Sequence, residues 1–332
     1  MKKFLSILLA VCIVTFSVGI HVSAESIITD TLANSVINKY SLQSSDVNVL
    51  TPLYSVDEEI IAYCVELSKP GFIIYDMNGM VMSRSEQQNS PFYGINKKIY
   101  IAGPTAFYYK EGNGYINVHM PNVVVSATQL KNNVVKTTQE KLASVFSAQS
   151  NNASQTRAIT TKNTTYTPRL YSYNPTGICL GTAAAILLAY YDDHINGNVA
   201  PNRHLADGGV GLTILLASDM YFAYSGVGEA CENAYEWYFA THSFGSARSY
   251  TASYLDSGAQ SVFNKMVSRI DANRPVQVSY NDGADTNHSV CAYGYYKDSS
   301  NFNNSEFLCS NGWGYTMWVN ANYLYSVAWI NA

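Results

Sequence analysis

Residues 177–191 read Gly177-Ile178-Cys179-Leu180-Gly181-Thr182-Ala183-Ala184-Ala185-Ile186-Leu187-Leu188-Ala189-Tyr190-Tyr191. The run carries no charge, is small or aliphatic on every side and is too long for a strand, so it predicts a buried helix. Cys179 then stands at the helix N-terminus, where unpaired N–H groups and the helix dipole favour an anion and lower a thiol pKa. An inert core cysteine is the competing explanation of Cys179 taken alone.

Working outward, Arg274-Pro275-Val276-Gln277-Val278-Ser279-Tyr280 predicts a strand entered through a proline, and His288-Ser289-Val290-Cys291-Ala292-Tyr293-Gly294-Tyr295-Tyr296 alternates as a second. Residues 307–310 form a third, running directly into Asn311-Gly312-Trp313-Gly314. A hairpin through 297–305 brings Asn311 beside the start of the His288 strand. One buried helix with several antiparallel strands makes the second half α+β.

Upstream, 59–67, 72–75, 80–83, 98–102, 106–110 and 115–120 are β-rich, with turns at Asp76-Met77-Asn78-Gly79 and Asn113-Gly114. Residues 29–40 have helical spacing through Leu32, Val36 and Ile37, and 126–148 also read as helix. Residues 149–165 are rich in Asn, Ser and Thr, with Arg157 and Lys162 the only charges, so they predict an exposed linker open to proteolysis. At the N-terminus, Lys2 and Lys3 precede an apolar run from Phe4 to Ile20 and then Val22-Ser23-Ala24, the pattern of a secretory signal. The divisions expected are 1–24 signal peptide, 25–148 N-terminal domain, 149–165 linker and 166–332 C-terminal domain.

The 332 residues are 47% hydrophobic with a net charge of −4. No basic cluster argues for nucleic acid. The chain from 166 onward carries seven Lys plus Arg against thirteen Asp plus Glu, net −6, leaving +2 for the rest. Opposite signs favour docking of the first half on the second. Beyond the signal the cysteines are Cys64, Cys179, Cys231, Cys291 and Cys309. That set is sparse and odd for an exported chain, which argues against a disulfide framework and for a thiol kept for chemistry. Cys291 and Cys309 fall on faces poorly placed to bridge. His194, His204 and Asp207, with Asp192 and Asp193, match no zinc spacing and read as a solvated helix end.

The order Cys179, His288, then Asn311 to Gly314 resembles the papain-like cysteine proteases, with their active-site cysteine heading a central helix, a histidine on a barrel strand and an Asn-Ser-Trp-Gly segment. Within that superfamily it is similar to exported bacterial members such as streptopain and staphopain and to bacteriocin-leader peptidases, through Ile270-Asp271-Ala272-Asn273-Arg274-Pro275-Val276, Gly71-Phe72-Ile73-Ile74 and a sheet-containing precursor domain.

The resemblance implies a papain-like catalytic domain, a helical lobe facing an antiparallel sheet or half-barrel, preceded by a small α+β prodomain that inhibits it. It implies a thiolate–imidazolium pair of Cys179 and His288, a ring oriented by Asn311 and shielded by Trp313, protein or peptide as substrate, and no cofactor or metal. It expects glutamine six residues before the cysteine as an oxyanion donor. Tyr173 stands there, and Asn174 is the nearer amide, although a turn at Tyr173-Asn174-Pro175 explains an asparagine equally. The implied protein is secreted by a bacterium, of Gram-positive type, without a membrane anchor once the signal is removed, and is activated by a cut within 149–165, after Arg157 or near Ile159-Thr160. A cell-wall amidase of the CHAP type and an inactive papain-fold binding protein are the alternatives.

Overall fold

A computed structural model describes residues 38–131, 158–174, 178–220, 226–284 and 286–332, together with Ala33 and Val36. The signal segment, most of the helix expected at 126–148, and Arg157 lie outside the described residues.

The strands are β1 (Val47–Tyr54), β2 (Ile60–Leu67), β3 (Phe72–Asp76), β4 (Val81–Ser85), β5 (Ile99–Ile101), β6 (Phe107–Glu111), β7 (Gly114–Asn117) and β8 (Val124–Val125) in the first half. The second half has β9 (Ile159–Asn163), β10 (Thr251–Asp256), β11 (Val276–Ala284), β12 (Thr286–Asp298), β13 (Glu306–Ser310), β14 (Thr316–Asn320) and β15 (Leu324–Asn331). Its helices are α1 (Cys179–His194), α2 (Asn202–Leu205), α3 (Val210–Met220), α4 (Val227–His242) and α5 (Ala259–Asp271).

Two sheets, one per half, were expected. The structure joins them into one sheet of fifteen strands, ordered β10-β15-β11-β12-β13-β14-β4-β3-β2-β1-β5-β6-β7-β8, with β9 also on β12. The seam is β14 against β4, antiparallel, with Trp318 opposite Arg84 and Val319 opposite Ser83. Leu53, Phe72, Ile74 and Phe107 of the first half share one apolar core with Val278, Val290, Phe307 and Val319 of the second. The linker expectation is corrected at one point. Residues 159–163 pair with β12, Ile159 opposite Asp298 and Asn163 opposite Gly294. A polar composition concealed them because every residue of β9 is exposed, so no apolar alternation was needed.

Helix α1 is buried as its composition demands, with Ala183 to Tyr191 all under 2% exposed. It packs with α3 and α4 in a tyrosine-rich lobe that includes Tyr190, Tyr191, Tyr235 and Tyr238. On the opposite side α5 lays Phe263, Met266 and Ile270 into the core of the sheet. The approach of α3 to α1 is close at Gly181, where a Cβ would stand 2.6 Å from the Thr213 carbonyl oxygen and 2.7 Å from Ala217 Cβ. In an open helix Gly→Ala stabilises by about 1 kcal/mol. Here Gly181→Ala is expected to destabilise by about 1–3 kcal/mol, read as a lowered denaturant midpoint, because the two helices must separate to admit the methyl.

Candidate active site

Helix α1 begins at Cys179 after Ile178, with no side-chain cap, so its first-turn N–H groups are left for another acceptor. One contact holds this end against the sheet and a second ties it to the segment that precedes the helix. Gln277 on β11 donates through Nε2 to the Leu180 carbonyl at 3.2 Å and accepts from the Tyr235 hydroxyl of α4. Thr182 donates to the Tyr173 carbonyl at 2.8 Å. Cys179 is thereby set against β12. Its thiol donates to the Asn287 carbonyl at 3.8 Å, one residue before His288, and the Ser289 N–H also faces the sulfur.

His288 is 4% exposed. Its Nε2 lies 2.9 Å from the backbone oxygen of Asn311. A carbonyl can only accept, so Nε2 carries the proton and Nδ1 of the neutral ring is left as the base. This corrects the orienting contact expected of Asn311: the main chain meets the ring, not the amide. The amide builds the turn instead. Asn311 Oδ1 accepts from the N–H of Trp313 at 2.9 Å and of Tyr315 at 3.4 Å, and Nδ2 points at Met317 Sδ. Gly312 and Gly314 sit at φ +80° and +86°, the left-handed region that side-chain-bearing residues avoid, and Trp313 stands between them. Its ring lies on the His288 ring, centroids 4.2 Å apart and planes within 10°. Trp313 thus covers one face of the His288 ring. Tyr280 closes another side, edge-on at 5.5 Å.

Asn174 is 5% exposed, and its Oδ1 has no hydrogen-bond partner among the described residues; its N–H donates to the Ser172 carbonyl at 3.0 Å. Tyr173 is half-buried and contributes its carbonyl to Thr182. Residues 175–177, between these and Cys179, lie outside the described residues.

The first half closes over this end of the sheet. Asp282 at the β11–β12 tip accepts from the Thr105 N–H at 2.8 Å and the Thr105 hydroxyl at 2.6 Å. Backbones meet there so closely that a Cβ on Gly103 would lie 1.9 Å from the Asp282 oxygen, and one on Gly283, 1.7 Å from the Ala102 oxygen. His119, half-buried, lies flat on the outer face of Trp313, centroids 4.0 Å apart and planes within 5°. Sequence reasoning missed Thr105, Asp282 and His119. His119 is the one histidine between residues 25 and 148, which was a usable signal; nothing local marks Thr105.

Burial dominates the electrostatics. It raises the Cys179 thiol above its ordinary value, with Asp282 adding to the rise and the N–H groups of Ser289 and Leu180 opposing it. It depresses His288 to about 4 against the pull of the Asn311 carbonyl. Burial lowers His119 further, with His288 contributing, and raises Asp282 to about 7 against its bonds to Thr105 and Ala106. Exclusion of water thus works against charge on both the thiol and the imidazole.

These shifts have opposite signs in stability. The depressed histidine favours folding above pH 6.5 and loses that contribution as the pH falls toward about 4; the raised Asp282 gains from acidification below about 7. Compared with the parent, Asp282→Asn should lose stability more steeply between pH 7 and 4, and His288→Gln less steeply, in thermal unfolding followed across that range.

Elsewhere, Asp193 pairs with Arg169 at 2.6 Å, Asp192 accepts from the Ala200 N–H, His194 stacks on Tyr166 and His204 bonds the Tyr238 hydroxyl. Asp207 opens a short 3-10 turn after α2. Among the described residues no three His, Cys, Asp or Glu side chains are grouped to hold a metal ion. The five described cysteines are free thiols. Among the described residues no helix is long and apolar enough to cross a membrane.

A family model described as Peptidase C39-like matches residues 159–330, from the first residue of β9 to the penultimate residue of β15. The chain belongs to this Peptidase C39-like family. Its C-terminal half is accordingly a cysteine peptidase-like unit, α+β in class, and the family match takes in β9. Comparison with the curated proteins returned no match.

Proposed function

We propose that the chain is an exported cysteine endopeptidase made as a zymogen. Cys179 is the nucleophile, His288 its acid and base through Nδ1, and Asn311 the positioning residue that supplies a carbonyl to the ring and builds the turn under Trp313. The observation that supports this best is the juxtaposition of Cys179, heading a buried helix, with the strand that carries a tautomer-fixed histidine. The oxyanion is met by the Cys179 N–H and the Asn174 amide, with Tyr173 as the alternative donor. Residues 1–24 direct export, and the source is a bacterium of Gram-positive type.

Residues 25–148 act as the inhibitor in cis. Thr105 and His119 cap the cleft and keep the thiol and ring dry, hence neutral and unreactive. Activation requires a cut upstream of β9, since Ile159 and Thr160 are paired into the sheet; Arg157 stands two positions before the strand in the sequence. An epoxide-type thiol inhibitor tests this, applied to the chain before and after cutting at a protease site inserted within 150–156. The cut form is expected to be labelled at Cys179 at neutral pH and the uncut form only slowly. Absence of labelling in both points to an inactive binding fold, and equal labelling in both removes the zymogen.

A further inference from the structure

The seam between the halves contains a group that no catalytic role uses. Glu306, at the start of β13, is 1% exposed. Its Oε2 accepts from Arg84 Nε at 2.8 Å, its Oε1 accepts from the Tyr40 hydroxyl, and Lys39 Nζ is 3.8 Å away. Among the described residues, every cation within ion-pair distance of Glu306 belongs to the first half. The Peptidase C39-like unit supplies the rest of the pocket. The Arg84 guanidinium carbon lies 4.6 Å above the Trp318 ring, and the Tyr296 ring takes Lys39 Nζ at 5.9 Å. Asn320 Nδ2 donates to the Val81 carbonyl at 2.9 Å, and the Thr316 carbonyl accepts from the Ser85 hydroxyl.

Removal of the first half leaves two unsatisfied demands side by side. Glu306 becomes a carboxylate that has lost Arg84, Lys39 and the Tyr40 hydroxyl together. Strand β14 becomes an open edge, its N–H and C=O groups unpaired along Trp318 and Val319. One ligand meets both: an extended polypeptide that adds as a strand and drops an arginine between Trp318 and Glu306. Arginine suits the recess better than lysine because its planar head both stacks on an indole and donates in a fork to a carboxylate.

We propose that the processed enzyme carries on this edge a binding site for an extended, arginine-bearing segment of a polypeptide. The proposal rests on the zymogen reading, in which the first half leaves. The site is an exosite: Glu306 and Ser310 stand at opposite ends of β13, so it lies about 14 Å along the strand from the turn that meets His288. Strand addition supplies affinity through main-chain bonds and the arginine supplies selectivity.

The test uses a fluorescein-labelled peptide of residues 79–87 and its Arg84→Gln form, with the chain cut within 150–156 by an added protease. Fluorescence anisotropy is expected to show the arginine peptide binding the cut protein at least about tenfold more tightly than the glutamine peptide, and neither binding the uncut chain, where the recess is filled. Equal affinity for the two peptides, no binding of either, or a cut chain whose first half stays in place would overturn the site. Hydrolytic activity is read in parallel. If arginine-selective binding appears on cutting while activity does not rise, the zymogen reading fails and the site stands; if activity rises without such binding, the reverse holds.

Discussion

Cys179→Ser is expected to lower peptide-bond hydrolysis by the cut chain by about four orders of magnitude or more, measured as kcat/KM on a protein or peptide substrate. A hydroxyl is far less acidic than a thiol, and a neutral imidazole held at Nε2 by a carbonyl cannot ionise it to any useful extent. Asn311→Ala is the informative contrast. Every residue carries a backbone oxygen, so the acceptor for His288 Nε2 survives the change. What is lost is the amide that gathers the N–H groups of Trp313 and Tyr315. The turn loosens, the indole moves on the imidazole, and a misplacement on the order of 1 Å costs about a hundredfold. Equal residual rates for the two variants would contradict the division of labour between thiol and turn.

Arg84→Ala is expected to destabilise the full-length chain by about 3 kcal/mol. Burial alone disfavours the Arg84 charge, and Glu306, Tyr40 and Glu86 together outweigh it, raising its pKa. Truncation leaves Glu306 facing the recess, and breaking a buried pair in this way costs about 3–5 kcal/mol. Lys39 and the Tyr40 hydroxyl remain near the carboxylate, which places the expectation at the lower end. Arg84 is also clasped between the Tyr40 and Trp318 rings, at 4.5 and 4.6 Å, so Arg84→Lys should recover the charge and only part of the stability. Thermal unfolding checks both; a fall in midpoint for Arg84→Ala no larger than that of Lys97→Ala, an exposed pair with Glu111, would show that the seam contributes little.

What could be read from the sequence divides by range. Helix α1 and strands β2, β3 and β6 announce themselves because their residues alternate or run apolar within a short window, and the faces they bury are written into that window. The placement of His288 beside Asn311 was also legible, since a hairpin fixes which ends of adjacent strands meet. The atom involved was not: an asparagine advertises an amide, while the backbone oxygen that meets the ring is common to every residue. Strand β1 was overlooked because Val47-Asn48-Val49-Leu50-Thr51-Pro52-Leu53-Tyr54 contains a proline and lacks clean alternation, features that demote a run to loop. The partners of Asp282 and Glu306 are remote in the chain, and no local pattern names them.

The seam also bears on how the chain reaches its fold. Arg84 and Glu306 are separated by 222 residues, and β14, which completes the seam, lies far downstream of β4 in the chain. Contacts of such separation form late, after the entropy of closing a long loop has been met. Until then β4 waits as a finished edge with a buried-type arginine exposed, and the same edge can accept β14 from a neighbouring chain as readily as from its own. At high protein concentration strand-exchanged dimers are therefore the expected misassembly, and the seam that joins the two halves at the end of folding is also where the chain is exposed at its beginning.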